Sequence, residues 1–311
     1  MTGLGGQGML FISIVLAWLA MQFWGGASLF QRDEILMQWH AWLDREYRNR
    51  ISDTGVIIAL LLLPVLATAL VLYLIGGWFF GLAGLAINVA VLLYACGRGD
   101  YMAQLQAYRY SMSHLDTQAV FDAAHQYYDV KGDDLAIVHN KVRQKISYQA
   151  YERWFAVAFW FLILGAPGAL LYRICHIVSD GSVALVDGNV ESSGAYHYHS
   201  SYADDTNAIL SFMDWLPSRL WALIVGLSGN IKAVIQVLGV KVFSMISVTL
   251  LLDRINLALV YGERVADLSD DESINCSDVA EAKNELDMIE KVDSRAMIIA
   301  MAVIAVSILL L

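Results

Sequence analysis

Four runs of this chain are too apolar and too long for the core of a soluble domain: Gly55–Ile75, Trp78–Cys96, Phe155–Ile177 and Ala296–Leu311. The hydrocarbon of a bilayer is roughly 30 Å thick, and a helix needs about 20 apolar residues to cross it. Lipid offers no partner for backbone N–H and C=O groups, so such runs must be helices. An earlier run, Met9–Trp24, adds a short first span; no positive charge precedes it and no cleavage site follows it, so it reads as a span and not as a removed signal peptide. No segment alternates polar and apolar residues over a strand's length, which argues against a sheet or a β-barrel. The expected fold is all-α: a polytopic membrane protein with five or six spans or part-spans and helical cytoplasmic segments.

Charge placement orients it. Basic residues near span ends mark the cytoplasmic side. Arg32, Arg45, Arg48 and Arg50 follow the first span, and Arg109, Lys131, Lys141, Arg143 and Lys145 follow the third. Both stretches are therefore read as inside, joined by a hairpin turning at Gly76-Gly77. The five expected regions are 1–97 (N-terminal spans), 98–153 (a cytoplasmic helical segment), 154–230 (membrane segment with a polar loop at 179–206), 231–293 (amphipathic helix, then acidic segment) and 294–311 (closing span). Charge counting leaves two readings of 154–230. Either Phe155–Ile177 crosses and Ala208–Leu227 returns, or Gly165-Ala166-Pro167-Gly168 breaks it into a re-entrant pair and the loop stays inside.

Within 98–153, apolar residues recur at helical spacing from Tyr101 to Tyr128. Gly132-Asp133-Asp134 breaks the pattern, and either aspartate can cap a second helix from Leu135 to about Gln149. Residues 263–293 hold eleven acidic side chains against three basic ones, a net −8 in a chain whose total is −10. That excludes nucleic acid as a natural partner and points instead to a cytoplasmic protein docking on this segment. Cys96, Cys175 and Cys276 form no CxxC pair, so neither a disulfide framework nor a zinc site is suggested, and no cofactor is specified.

Two blocks carry a resemblance. The first runs Tyr151-Glu152-Arg153-Trp154-Phe155, then Phe159-Trp160 and Gly165-Ala166-Pro167-Gly168-Ala169-Leu170-Leu171-Tyr172-Arg173. The second is Met213-Asp214-Trp215-Leu216-Pro217-Ser218-Arg219-Leu220-Trp221. In this order they resemble the AmpE family of inner-membrane proteins, which in turn is similar to the CobD/CbiB cobinamide-phosphate synthases. The resemblance implies a multi-pass protein of the bacterial inner membrane, tied to β-lactamase induction and peptidoglycan recycling. Against the synthase pattern, Arg153 stands for a glycine, His176 for an asparagine, and Leu210 and Ser211 for a paired aspartate. A carboxylate pair of that kind would hold Mg²⁺ against a nucleotide phosphate.

The candidate site residues follow from charge at membrane depth and from the two blocks. Glu152 and Asp214 are the candidate catalytic carboxylates. Arg98, Asp100, Arg109, Arg153, His176 and Arg219 are candidates for binding an anionic small molecule, since a guanidinium fork matches phosphate or carboxylate. Their structural alternatives are interfacial anchors, helix ends and intramembrane ion pairs. Tyr196-His197-Tyr198-His199, near Asp204 and Asp205, reads first as a loop without a role and second as a divalent-metal site. Three functions remain open: a regulatory or sensing protein of the AmpE kind, a membrane ligase or transferase with a diverged synthase site, and a scaffold docking a partner through 263–293.

Overall fold

The computed structural model describes residues 4–24, 34–47, 53–75, 77–96, 101–179, 200–241, 246–268, 272, 274–276 and 278–310. Among these the chain is helical throughout, with no strand. In chain order the helices are α1 (Leu4–Trp24), α2 (Glu34–Tyr47), α3 (Asp53–Ile75), α4 (Leu82–Ala95), α5 (Tyr101–Ser113), α6 (Thr117–Tyr128), α7 (Leu135–Tyr151), α8 (Val157–Leu164), α9 (Ala166–Ser179), α10 (Ser200–Ser228), α11 (Ile231–Lys241), α12 (Val248–Tyr261) and α13 (Val279–Leu310). They form two units. Unit 1 holds α1–α4, α8, α9 and α10 up to Asp214; unit 2 holds α5–α7, the rest of α10 and α11–α13.

Apolar helices occur in both units. Gly55–Ile75 in α3 and Thr206–Ser228 in α10 are long and apolar enough to cross a bilayer, and Gly8–Met21 and Leu82–Ala95 are shorter apolar stretches. Only 22% of the Gly55–Ile75 window is buried by protein. Leu66, Leu70, Tyr73 and Leu74 stand exposed, an apolar surface of the kind that meets lipid. The near-end residues Val56, Ile57, Leu60 and Leu61 are buried instead. The expected third span is shorter than its sequence suggests, because Trp78–Gly81 forms a 3₁₀ turn before α4. Gly81 sits at φ 89°, and the Met9 sulfur of α1 would lie 2.9 Å from any Cβ placed there. Glycine both makes the turn and lets α1 and α4 meet.

The expected fourth span is broken. A single π turn at Glu152–Ala156 leads into α8, and the backbone leaves helical geometry at Gly165 (φ 71°, ψ −160°). Eight residues of α8 span about 12 Å, less than half the hydrocarbon. Pro167 lies in the first turn of α9, where its missing N–H costs nothing. Gly168 lets the two helices touch: an added Cβ would fall 2.5 Å from the Trp160 carbonyl oxygen. Helix α9 packs on α3, α4 and α8.

Unit 2 has a core to which α5, α6, α7 and α13 contribute. Leu105, Tyr108 and Met112 of α5, Val120 and Ala124 of α6, Val138 and Val142 of α7, and Ala282 and Leu286 of α13 pack together. The break at Gly132–Asp134 is where the sequence placed it. Asp134 caps α7, its carboxylate accepting from the N–H groups of Ala136 and Ile137. The run from Tyr101 to Tyr128 is two helices and not one. Leu115 takes φ 55°, and Asp116 caps α6 through the Gln118 N–H at 2.9 Å.

The expected amphipathic helix after residue 231 also divides, into α11 and α12. Helix α12 has no solvent face over Leu251–Ala258: all eight residues are buried, Asp253, Arg254 and Asn256 included. Its polar side chains read as an outer face in the sequence, yet they point at partners inside the unit. The closing apolar run is the second half of α13, a 32-residue helix whose first half belongs to the unit 2 core.

Candidate functional site

Helices α7, α12 and α13 each deliver charge to the interior of unit 2. Arg143 of α7 is fully buried. Its Nε donates to Asp253 Oδ1 at 2.7 Å and its Nη2 to Asp253 Oδ2 at 3.2 Å, a two-pronged pairing that fits a guanidinium to a carboxylate. Its Nη1 donates to Glu285 Oε1 at 2.7 Å. His139, one turn earlier on α7, places Nε2 3.3 Å from the same oxygen. On the other side Tyr261 OH donates to Glu285 Oε2 at 2.8 Å, and the Cys276 sulfur lies 3.5 Å from Oε2. Tyr108 OH sits 3.5 Å from His139 Nδ1, and Asn256 donates to Ser147 beside the cluster.

Taking such ions from water costs several kcal/mol each, and close pairing offsets it. Burial alone raises the Glu285 carboxyl, but hydrogen bonding from His139 and the charge of Arg143 outweigh it and hold the group at about 2. Burial likewise disfavours the Arg143 cation, yet Asp253 and Glu285 keep it above its ordinary value. The Cys276 thiol is pushed up to about 12 by burial and by the neighbouring Glu285 charge. The arrangement is a carboxylate fixed ionised beside a thiol and an imidazole, sealed from solvent.

A second polar feature of unit 2 opens outward. A cavity of about 330 Å³ is lined by Asp129, Lys131, Lys141, Gln144, Lys145 and Thr249. Three lysines against one aspartate make it locally basic in a chain of net charge −10. Lys145 is anchored at the rim, donating to the Tyr128 carbonyl at 2.5 Å. Thr249 belongs to the first turn of α12, the helix end whose dipole favours negative charge.

The residues singled out in the sequence are distributed between the two units. In unit 1, Asp214 is buried and accepts from Tyr172 OH at 2.8 Å, and the His176 ring lies 6.5 Å from that of Tyr172. In unit 2, Glu152 is buried in the π turn, and Arg153 stacks on Tyr101, 5.3 Å from the ring centre. Arg219 folds back over Trp215, 4.6 Å from its ring, and donates to its carbonyl at 2.7 Å. Arg109 pairs with Asp287 at 2.5 Å and with Glu290, so α5 is clasped to α13. Arg98, Asp100 and the loop at 196–199 lie outside the described residues.

The acidic segment turns partly inward. Glu263 meets Lys232 and Gln236, while Glu285, Asp287 and Glu290 meet cations of the same unit. Sequence reasoning read Cys276 as part of no metal site and passed over His139 and Glu285, because nothing joins the three along the chain. They are 146 and nine residues apart from Glu285, on α7, a connecting segment and α13. Asp253 and Arg254 inside an apolar pattern were the one available signal of buried charge.

No family model matches the chain, and no solved structure matches it. Over 189 residues it is 27% identical to the cobalamin biosynthesis protein CobD of Chromobacterium violaceum, a match covering 59% of this chain and 54% of that protein. The chain thus spans about half the length of the curated relative it matches, and what the comparison supports is a distant CobD-like relation.

Proposed function

We propose that this is a membrane-bound protein that binds an anionic, phosphate-bearing small molecule through unit 2, in a sensing or regulatory role of the AmpE-like kind. The observation that carries the reading is the cavity lined by Lys131, Lys141 and Lys145. Its volume falls in the range of small-molecule sites. Lysine ammonium groups, as strongly hydrated point charges, suit a phosphate that keeps part of its own water. Direct titration of the detergent-solubilised full chain with inorganic phosphate and with a nucleotide tests it. Saturable binding should weaken at least ~10-fold, about 1.4 kcal/mol, when the three lysines become alanine. Binding untouched by that change would remove the cavity from the site.

The CobD likeness favours a second reading, a membrane ligase or transferase of the cobinamide-phosphate synthase type. Glu152 of unit 2 and Asp214 of unit 1 are each to be tested separately as a carboxylate of such an enzyme. Rescue of a host lacking its own synthase checks this directly. Rescue abolished by Glu152→Gln or Asp214→Asn, in protein that still folds, supports the enzyme; absence of rescue by the wild-type chain removes it.

A further inference from the structure

The geometry points to a divalent transition-metal site in unit 2, with His139, Cys276 and Glu285 as its protein ligands. All three are buried, and one donor atom from each lies within 4.8 Å of the others. The imidazole and the thiol flank the carboxylate, one at each of its oxygens. Zinc-type bonds of about 2.0–2.3 Å to nitrogen, oxygen and sulfur make tetrahedron edges of roughly 3.3–3.6 Å. His139 Nε2 stands 3.3 Å from Glu285 Oε1, and Cys276 Sγ stands 3.5 Å from Oε2.

The surroundings agree. A ligating imidazole needs its second nitrogen occupied, and Tyr108 OH lies on His139 Nδ1. A ligating carboxylate is itself held by outer hydrogen bonds, here from Tyr261 and Arg143. Asp253 balances Arg143 through two contacts. A divalent ion is matched in charge by Glu285 and a Cys276 thiolate. The ion displaces the thiol proton to solvent on binding, as coordinated thiols require. The mixed nitrogen, sulfur and oxygen set selects zinc or a neighbour and not magnesium or calcium. Its evident effect is to pin the segment at Cys276 and the start of α13 to α7.

The test uses the full chain in detergent, stripped with a chelator and refilled with Zn²⁺ or Co²⁺. Elemental analysis should find about one ion per chain, and the cobalt form should show a thiolate-to-metal charge-transfer band. His139→Ala should weaken binding at least ~10-fold, Cys276→Ser should abolish the band, and a Cys96→Ala/Cys175→Ala chain should keep it. Folded wild-type protein that takes up no ion overturns the proposal, as does a band that persists in Cys276→Ser. Should the single variants fail to fold, the wild-type stoichiometry and the band in the Cys96→Ala/Cys175→Ala chain decide alone.

Discussion

In α3 of unit 1, leucines and a tyrosine stand exposed along most of the helix, whereas in α12 of unit 2 an aspartate, an arginine and an asparagine are sealed inside. Unit 1 spends apolar surface on its surroundings and depends on small residues, Gly81 and Gly168, where its helices touch. Unit 2 packs apolar side chains inward around a charged centre and depends on partners found far along the chain. Stability in the first is a matter of surface and close approach; in the second it is a matter of pairing. Mutations should divide the same way.

The largest effect is expected at Arg143. Replacing it with alanine leaves Asp253 and Glu285 ionised and buried without their cation, at a cost of about 3–5 kcal/mol. Thermal unfolding of the purified protein should show it, and a loss below ~1 kcal/mol would mean that water or another cation reaches the cluster. In unit 1, Gly168→Ala drives a methyl against the Trp160 carbonyl and the Leu164 side chain, with overpacking worth about 1–3 kcal/mol. An unchanged melting temperature would show that α8 and α9 can separate freely.

Asp293 offers a sharper contrast, since it shares α13 with Glu285 and should respond to pH in the opposite sense. Its carboxylate oxygens are buried without a hydrogen-bond partner, and burial pushes the group up to about 7. Its contribution to stability is therefore complete below the unfolded value near 4 and is lost as pH rises through 7. Glu285, held at about 2, stabilises above its unfolded value and loses this as pH falls toward 2. Asp293→Asn should stabilise by about 1–2 kcal/mol at pH 8 and by little at pH 4. Denaturant melts at both values measure this, and an equal effect at the two pH values would sink it. The smallest effect is at the α7 cap, where Asp134→Ala should cost about 1 kcal/mol and local hydrogen-exchange protection in the first turn.

Legibility in the sequence follows the same division. The apolar runs, the cap at Asp134 and the alternative of a break at Gly165 were all readable, because each is written in a few adjacent residues. The break at Leu115-Asp116 was missed, since the helical spacing of Tyr108, Met112 and Val120 continues across it. Helix α12 was read as amphipathic because Asp253 and Arg254 look like a solvent face until their partners are known. Those partners stand 110 residues away for Asp253 and 18 away for Arg254, at a backbone carbonyl. Of the candidate site, the anionic-ligand expectation named arginines at span ends. The basic cavity instead gathers Lys131 from the segment before α7 and Lys141 and Lys145 from its body, which no spacing rule links to Thr249.

The break at Gly165 also bears on where the chain is open to proteolysis. At that junction the last carbonyls of α8 and the first N–H groups of α9 cannot all be satisfied within a helix, and lipid would leave them bare. Packing of α9 against α3 and α4 is what covers that junction in unit 1. A change that displaces α3 should therefore open the segment around Gly165 to proteolysis, even though its own sequence is unchanged.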